Sequence, residues 1–354
     1  MKHTKQLTLA AIAVPALLAF AIPGDSVSFA PEESTTITKT FRMSGSFSLD
    51  DMSMLMNGVD PGMMPEMEMD MTIEQTVRVT DVYEAMRAAM PEKLTRTFEE
   101  IGTEMEFEIS IDVMGETNDQ SADGSGSSEL EGLTVVFAWD EDAEEYDKSF
   151  EDGEGDEDLL EGLLEDMDLR VLLPEDDVAE GDTWEIELSR LPDLFAPGGD
   201  FSLDIEMDGE TMPGGPDPAM MSNFREMLGD LLEGDATATY KGSRDEDGVR
   251  VGVIDFEIDI DTARDMSDLL SEMMDQMPEG VEMELQQVDI EFTFAGSGTL
   301  LWNLAAGHLH SFQMDGEAAI TIDMGMTMDM AGEEMTMEMS MSMSGTLSQS
   351  VEVE

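Results

Sequence analysis

Cysteine is absent from the 354-residue chain, which excludes disulfides, thiol nucleophiles, cysteine-ligated metal and a lipid-bearing cysteine. Basic residues are scarce: 16 Lys and Arg stand against 83 Asp and Glu, a formal net charge of -67. A surface so acidic repels nucleic acid and anionic membranes and attracts cations diffusely. Aromatic residues make up 6% of the chain, so a core must draw mainly on aliphatic side chains and on the 35 methionines. Catalytic signatures are missing too. There is no nucleophile elbow, phosphate loop or HExxH, and the chain reads as a non-enzyme. Among so many acids, the closeness of two carboxylates carries no information about glycoside hydrolysis.

Beyond the N-terminus no segment is apolar enough to cross a bilayer. Residues 1–30 read as a signal peptide and its cleavage region. Lys2 and Lys5 precede an apolar run over 7–21, and Ala19-Phe20-Ala21 and Ser28-Phe29-Ala30 both fit a cleavage site. Pro31, directly after Ala30, disfavours the second. The expectation is an exported protein, periplasmic or extracellular, with no membrane span once the signal is removed.

What the chain does have is alternation. Ile320, Ile322, Met324, Met326, Met328 and Met330 alternate with polar or small residues, and after a polar tetrad so do Met335, Met337, Met339, Met341 and Met343. A period of two places the methionines on one face of a strand and the acids and hydroxyls on the other. The short connection predicts an antiparallel hairpin with one methionine face and one anionic face. The same style appears earlier. Phe41, Met43, Gly45, Phe47 and Leu49 share one strand face, and Met67, Met69, Met71, Ile73, Val77 and Val79 another, with only Gln75 interrupting.

Elsewhere the pattern predicts strands over 93–100, 103–113, 133–139, 169–173, 184–188 and 201–207, and a flexible Gly/Ser loop over 118–128. Residues 82–90 read as a turn or two of helix, and 159–167 as a short amphipathic helix. Two clearer amphipathic helices follow, over 218–233 and 262–276, with methionine-rich stripes that include Met220, Met227 and Met273. A hairpin turned at Asp247-Gly248 separates them. Helices inserted between strands must bury their stripes on a sheet face. The predicted fold is therefore mainly β (α+β), with long curved antiparallel sheets and a few amphipathic helices packed on or capping them. The Pro/Gly-rich stretch after 191 marks a seam between a β-rich half over 31–195 and a second over 196–354.

Three constellations invite a functional reading. The methionine rows suit either a core or a pliable apolar face for a ligand, because methionine is soft and adaptable. On the second reading the ligand face consists of Met220, Met227, Met273, Met326, Met328, Met337 and Met339. Copper(I) would also accept thioethers, but strict strand alternation, away from His or Cys, is not the setting for it. His308 and His310 lie two apart in a predicted strand and lack a visible third ligand. Acid clusters at 140–147, 154–158 and 245–247 match no twelve-residue calcium loop. No metal site is assigned, and no cofactor is implied.

At residues 169–188 the order of an apolar segment, LPEDDVAEGD and TWEIEL resembles a pattern in exported bacterial β-rich proteins of uncharacterised role. The segment GSGTLLWNLAAGHLHSFQMDGEAAITID, 296–323, is similar to a late strand pair of the same proteins. The resemblance implies a secreted β protein and supplies no functional residues. By looser analogy, curved sheets capped by helices resemble periplasmic carriers of lipid or lipoprotein. The sequence thus leads to an exported, non-enzymatic binding or envelope protein that presents its methionine face to a hydrophobic ligand or an envelope protein. The alternative is an acidic, calcium-type cation-binding or structural surface protein.

Overall fold

The computed structural model describes residues 26–59, 66–113, 116–208, 232–267, 283–330 and 333–354. The chain is mainly β, as its alternation predicts. Its strands are β1 (Thr35–Met56), β2 (Glu66–Arg87), β3 (Met90–Val113), β4 (Glu116–Ser128), β5 (Thr134–Asp140), β6 (Glu145–Phe150), β7 (Thr183–Glu185), β8 (Leu203–Asp208), β9 (Gly234–Glu246), β10 (Val249–Asp265), β11 (Met283–Asn303), β12 (His308–Met330) and β13 (Glu333–Val353). All pair antiparallel in one sheet ordered β6-β5-β3-β2-β1-β13-β12-β11-β10-β9-β7, and among the described residues the sheet does not close. β4 extends it from the far end of β3, and β8 pairs with β4. Strands from both sequence halves meet where β1 pairs with β13.

The C-terminal hairpin forms in the expected register, Met324 opposite Met339 and Met326 opposite Met337. β13 then carries the rows onto β1, with Met339 opposite Met54 and Met341 opposite Met52. A bulge between Leu49 and Asp51 keeps β1 in phase. Without it, Met52, Met54 and Met56 would point to the other side.

At mid-strand the inner face is built from small residues under rings. The row Gly45, Leu347, Gly316, Gly296, Ile258 runs across β1, β13, β12, β11 and β10. A Cβ at Gly296 or Gly316 would stand 2.5 or 2.6 Å from the Phe294 ring, so neither position accepts a side chain while that ring lies there. Aromatic cover of strand glycines lets long strands bend without losing register.

One end of the inner face is sealed by the chain between β6 and β8. Leu163, Met167, Leu169, Leu172, Leu191, Leu194 and Phe201 from this plug form a single buried cluster with Phe41, Val79, Tyr83, Phe98, Ile254, Trp302 and Phe312 from the sheet. Val27 and Phe29 belong to it as well, each 2% exposed.

Several elements differ from expectation. Residues 82–87 continue β2 rather than forming helix. The Gly/Ser stretch expected as a loop is β4. Hydrogen bonding to β3 overrides its poor strand composition, and Gly124 leaves room for the Met105 side chain. The helix expected over 159–167 is reduced to a 3₁₀ turn, Glu157–Leu160. Gly162 at φ 70 breaks it, and its carbonyl accepts from Asp200 N at 3.1 Å instead of serving a helix. The strand expected over 169–173 is a 3₁₀ turn, Arg170–Leu172, led by Leu169 at φ 55. The strand at 184–188 shrinks to Thr183–Glu185, followed by a 3₁₀ turn and the short helix α1 (Leu191–Phe195). Thr262 to Asp265, expected to open a helix, end β10. The rest of both long amphipathic helices, apart from residues 232–233 and 266–267, lies outside the described residues.

Candidate functional site

Two regions of the inner face stand out, one ionic and sealed, the other apolar and half-buried. The ionic region begins with charged residues on apolar strand faces. Lys39 follows Ile37 on β1, Asp81 lies between Val79 and Tyr83 on β2, and Arg96 between Leu94 and Phe98 on β3. All three are fully buried. Asp81 and Arg96 are direct cross-strand partners, and the guanidinium grips the carboxylate through Nε at 2.7 Å and Nη2 at 2.9 Å. Lys39 Nζ lies 3.0 Å from Asp81 and 2.8 Å from Asp168 of the plug, and donates to Tyr83 Oη at 2.8 Å. Tyr83 in turn donates to Asp168 Oδ2 at 2.6 Å.

The network exists because the plug is irregular backbone in a dry place. Buried carbonyls that no ladder serves need donors. Arg96 donates to Leu164 O and Glu165 O, Lys148 to Leu163 O, and Gln349 to Leu194 O, at 2.9 to 3.1 Å. Burial pushes the Asp81 carboxyl up, but Arg96 and Lys39 outweigh it and hold the group below its usual range. Burial drives Glu165 the other way, up to about 7, even though Arg170 donates to it at 2.5 Å. This region is a structural clamp. Its charges pair with one another and with carbonyls of the plug.

The apolar region is the continuation of the same strands. On β13 the inner face passes from buried Val351 and Gln349 to half-buried Leu347, Met343, Met341, Met339 and Met337. On β12 it passes from buried Met314 to half-buried Ile320, Ile322, Met324 and Met326, and on β1 from buried Phe41 to half-buried Met43, Met52, Met54 and Met56. Met67, Met69 and Met71 on β2, and Phe107, Ile109 and Ile111 on β3, change in the same way. The boundary falls where the plug stops. There Phe195 meets Phe294 edge-on at 5.2 Å and Gln349 holds Leu194 O.

Of the residues expected to form a ligand face, the structure brings Met326, Met337 and Met339 together on adjacent strands, all half-buried. Met328 holds its place in the register opposite Met335. Met220, Met227 and Met273 lie outside the described residues. The opposite face of the hairpin is less open than alternation implies, since Thr327 is 7% exposed. His308 and His310 do not share the Phe312 and Met314 face. A bulge at His310 puts Leu309 there instead, and burial lowers the His308 pKa. Among the described residues no three acids or histidines converge as a metal site, and no helix is long and apolar enough to cross a membrane.

Between the methionine region and the plug lies a small cavity of ≈ 130 Å³. Phe41, Met43 and Gln75 form its floor with Gln349, and the turn from Phe195 to Phe201 forms its roof. Sequence reasoning treated Gln75 as a mere interruption and did not single out Gln349. The signal was available, because each is a lone amide on an otherwise apolar strand face. No family model and no curated protein matches the chain.

Proposed function

We propose that this chain is an exported, non-enzymatic binding protein that holds an apolar ligand or partner against the methionine rows of its inner face. The observation that carries the reading is the abrupt change along β1, β2, β3, β12 and β13 from a sealed core to a half-buried apolar surface. The pairings of β1 with β2 and of β12 with β13 run through the change without a register shift, and the bulge between Leu49 and Asp51 keeps β1 in phase with β13. A surface of this kind, rich in rotatable thioethers, favours varied apolar molecules at modest affinity over one ligand held tightly. Export rests on the charged and apolar N-terminal run. Burial of Val27 and Phe29 supports cleavage after Ala21, because cleavage after Ala30 would remove two core side chains.

A titration of the native protein with a naphthylamine-type apolar fluorophore tests the reading. Saturable binding on the micromolar scale, about -8 kcal/mol, is expected. Met339→Asp and Met341→Asp should weaken it at least tenfold while leaving the melting transition cooperative. A native protein that binds no apolar probe would overturn the reading.

A further inference from the structure

The cavity at the inner rim of the methionine region has a feature that apolar packing does not account for. Gln349 is 3% exposed and lies on the inner face of β13 between Met43 of β1 and Met314 of β12. Its orientation is set by one contact: Nε2 donates to Leu194 O at 3.0 Å, which leaves Oε1 pointing elsewhere. Oε1 is buried and accepts no hydrogen bond from any protein group. A buried acceptor without a donor is destabilising, so its retention calls for a partner. Gln349 forms part of the cavity wall, and so does Gln75, the second amide of this face.

We propose that this cavity receives the head group of the apolar ligand. In detail, Gln349 Oε1 accepts a hydrogen bond from the uncharged, hydroxyl-bearing head of a single-chain amphiphile whose tail lies along the methionine rows. The inference rests on the reading that the methionine region binds an apolar ligand. It adds to that reading the polarity, charge and direction of the ligand.

Size, charge and continuity each narrow the choice. The ≈ 130 Å³ cavity is small and suits a head of a few heavy atoms. An anionic head is disfavoured because the cavity is bordered by Asp200, and its one cationic neighbour, Arg42, already binds Glu352 at 2.9 Å. The protein's acid excess, 83 against 16, acts in the same sense. From the cavity the inner face continues without a polar interruption through Leu347, Phe47, Leu49, Met343 and Met52, all half-buried. Twelve residues of β13 separate Gln349 from Met337, roughly 40 Å at strand rise, ample length for an extended acyl chain.

Three ligands with one chain decide the matter on the wild-type protein: 1-monooleoylglycerol, methyl oleate and oleate, titrated by competition with the apolar fluorophore. Monooleoylglycerol should bind about tenfold tighter than methyl oleate, which lacks a donor, and oleate weakest of the three at neutral pH. Gln349→Leu should lower monooleoylglycerol to the level of methyl oleate and leave methyl oleate unchanged. The ligand comparison needs no variant, so it stands even if Gln349→Leu proves unstable. Equal binding of all three lipids would overturn the head-group assignment while sparing the apolar site. Failure of all three to displace a bound fluorophore would likewise overturn it, placing the fluorophore elsewhere. Absence of any fluorophore binding would overturn the apolar site itself.

Discussion

The two ends of the inner face are made by the same strands with the same alternation, yet one is closed and the other half-open. At the closed end the residues are Val, Ile, Phe and Tyr, and a plug of irregular chain covers them through the clamp of Lys39, Asp81, Arg96 and Asp168. At the other end methionine predominates, with Ile320, Ile322, Ile109 and Ile111 among it, and these side chains stay half-buried. The difference shows that period two specifies which side of a strand faces inward and nothing about what lies over it. Closure is decided by a second layer, and here that layer has only short turns of helix and one short strand, so carbonyls such as Leu164 O and Glu165 O take their donors from the buried Arg96.

Breaking the clamp should have the largest effect. Asp81→Ala strands Lys39 and Arg96 in a dry core and should cost about 3–5 kcal/mol in a denaturant melt. Met339→Ala at the other end should cost about 1 kcal/mol, well short of the 2–5 kcal/mol for a sealed methionine, because part of its surface already meets solvent. Similar losses for the two variants would erase the distinction between the ends.

A smaller effect, also within the clamp, depends on pH. Glu165 has its pKa raised from 4.5 to about 7 by burial, so folding favours its neutral form. Its contribution is therefore fully present below about 4.5 and is lost as pH rises towards 7. Asp81 acts oppositely: its pKa is lowered, so its contribution is present above the usual carboxylate range and disappears as acid protonates it. Glu165→Gln should flatten the stability profile between pH 4.5 and 7 and leave the acid limb intact. Thermal melts across that range check it, and an unchanged slope would show that Glu165 is not the group responsible.

The comparison also explains what the sequence made legible. The C-terminal hairpin and its register were readable, because Ile320 to Met330 and Met335 to Met343 alternate strictly and a slip by one residue would turn every side chain over. The plug was not. Its apolar residues 159–173 follow helical and strand spacing by chance, while Gly162 and Leu169 take left-handed backbone angles and long-range contacts decide the path. β4 was missed because its pairing with β3 lies in backbone atoms that composition does not report. Of the candidate site, the methionine rows were readable as a face. The clamp was also legible in principle, as one charge on each of three otherwise apolar strand faces, but a pattern search that counts only apolar positions passes over it.

Least in size is the response to salt. Self-repulsion at -67 should make the fold gain stability as ionic strength rises, by a few degrees in melting temperature. Asp81→Ala should respond no more strongly than wild type, since the clamp is shielded from ions. A markedly larger salt response in that variant would mean that the sealed end is not sealed.

Methionine oxidation under native conditions reads both ends in one experiment. Sulfoxide forms where peroxide reaches the thioether, and the protein supplies internal standards: Met167 and Met314 are fully buried, whereas Met326, Met337, Met339 and Met341 are half-buried. Mass spectrometry after mild peroxide, with circular dichroism confirming that the fold persists, should find the second group modified while Met167 and Met314 stay reduced. A saturating apolar ligand should protect the second group. Uniform protection of all six methionines until global unfolding would contradict the account, and the methionine end would then be as closed a core as the rest.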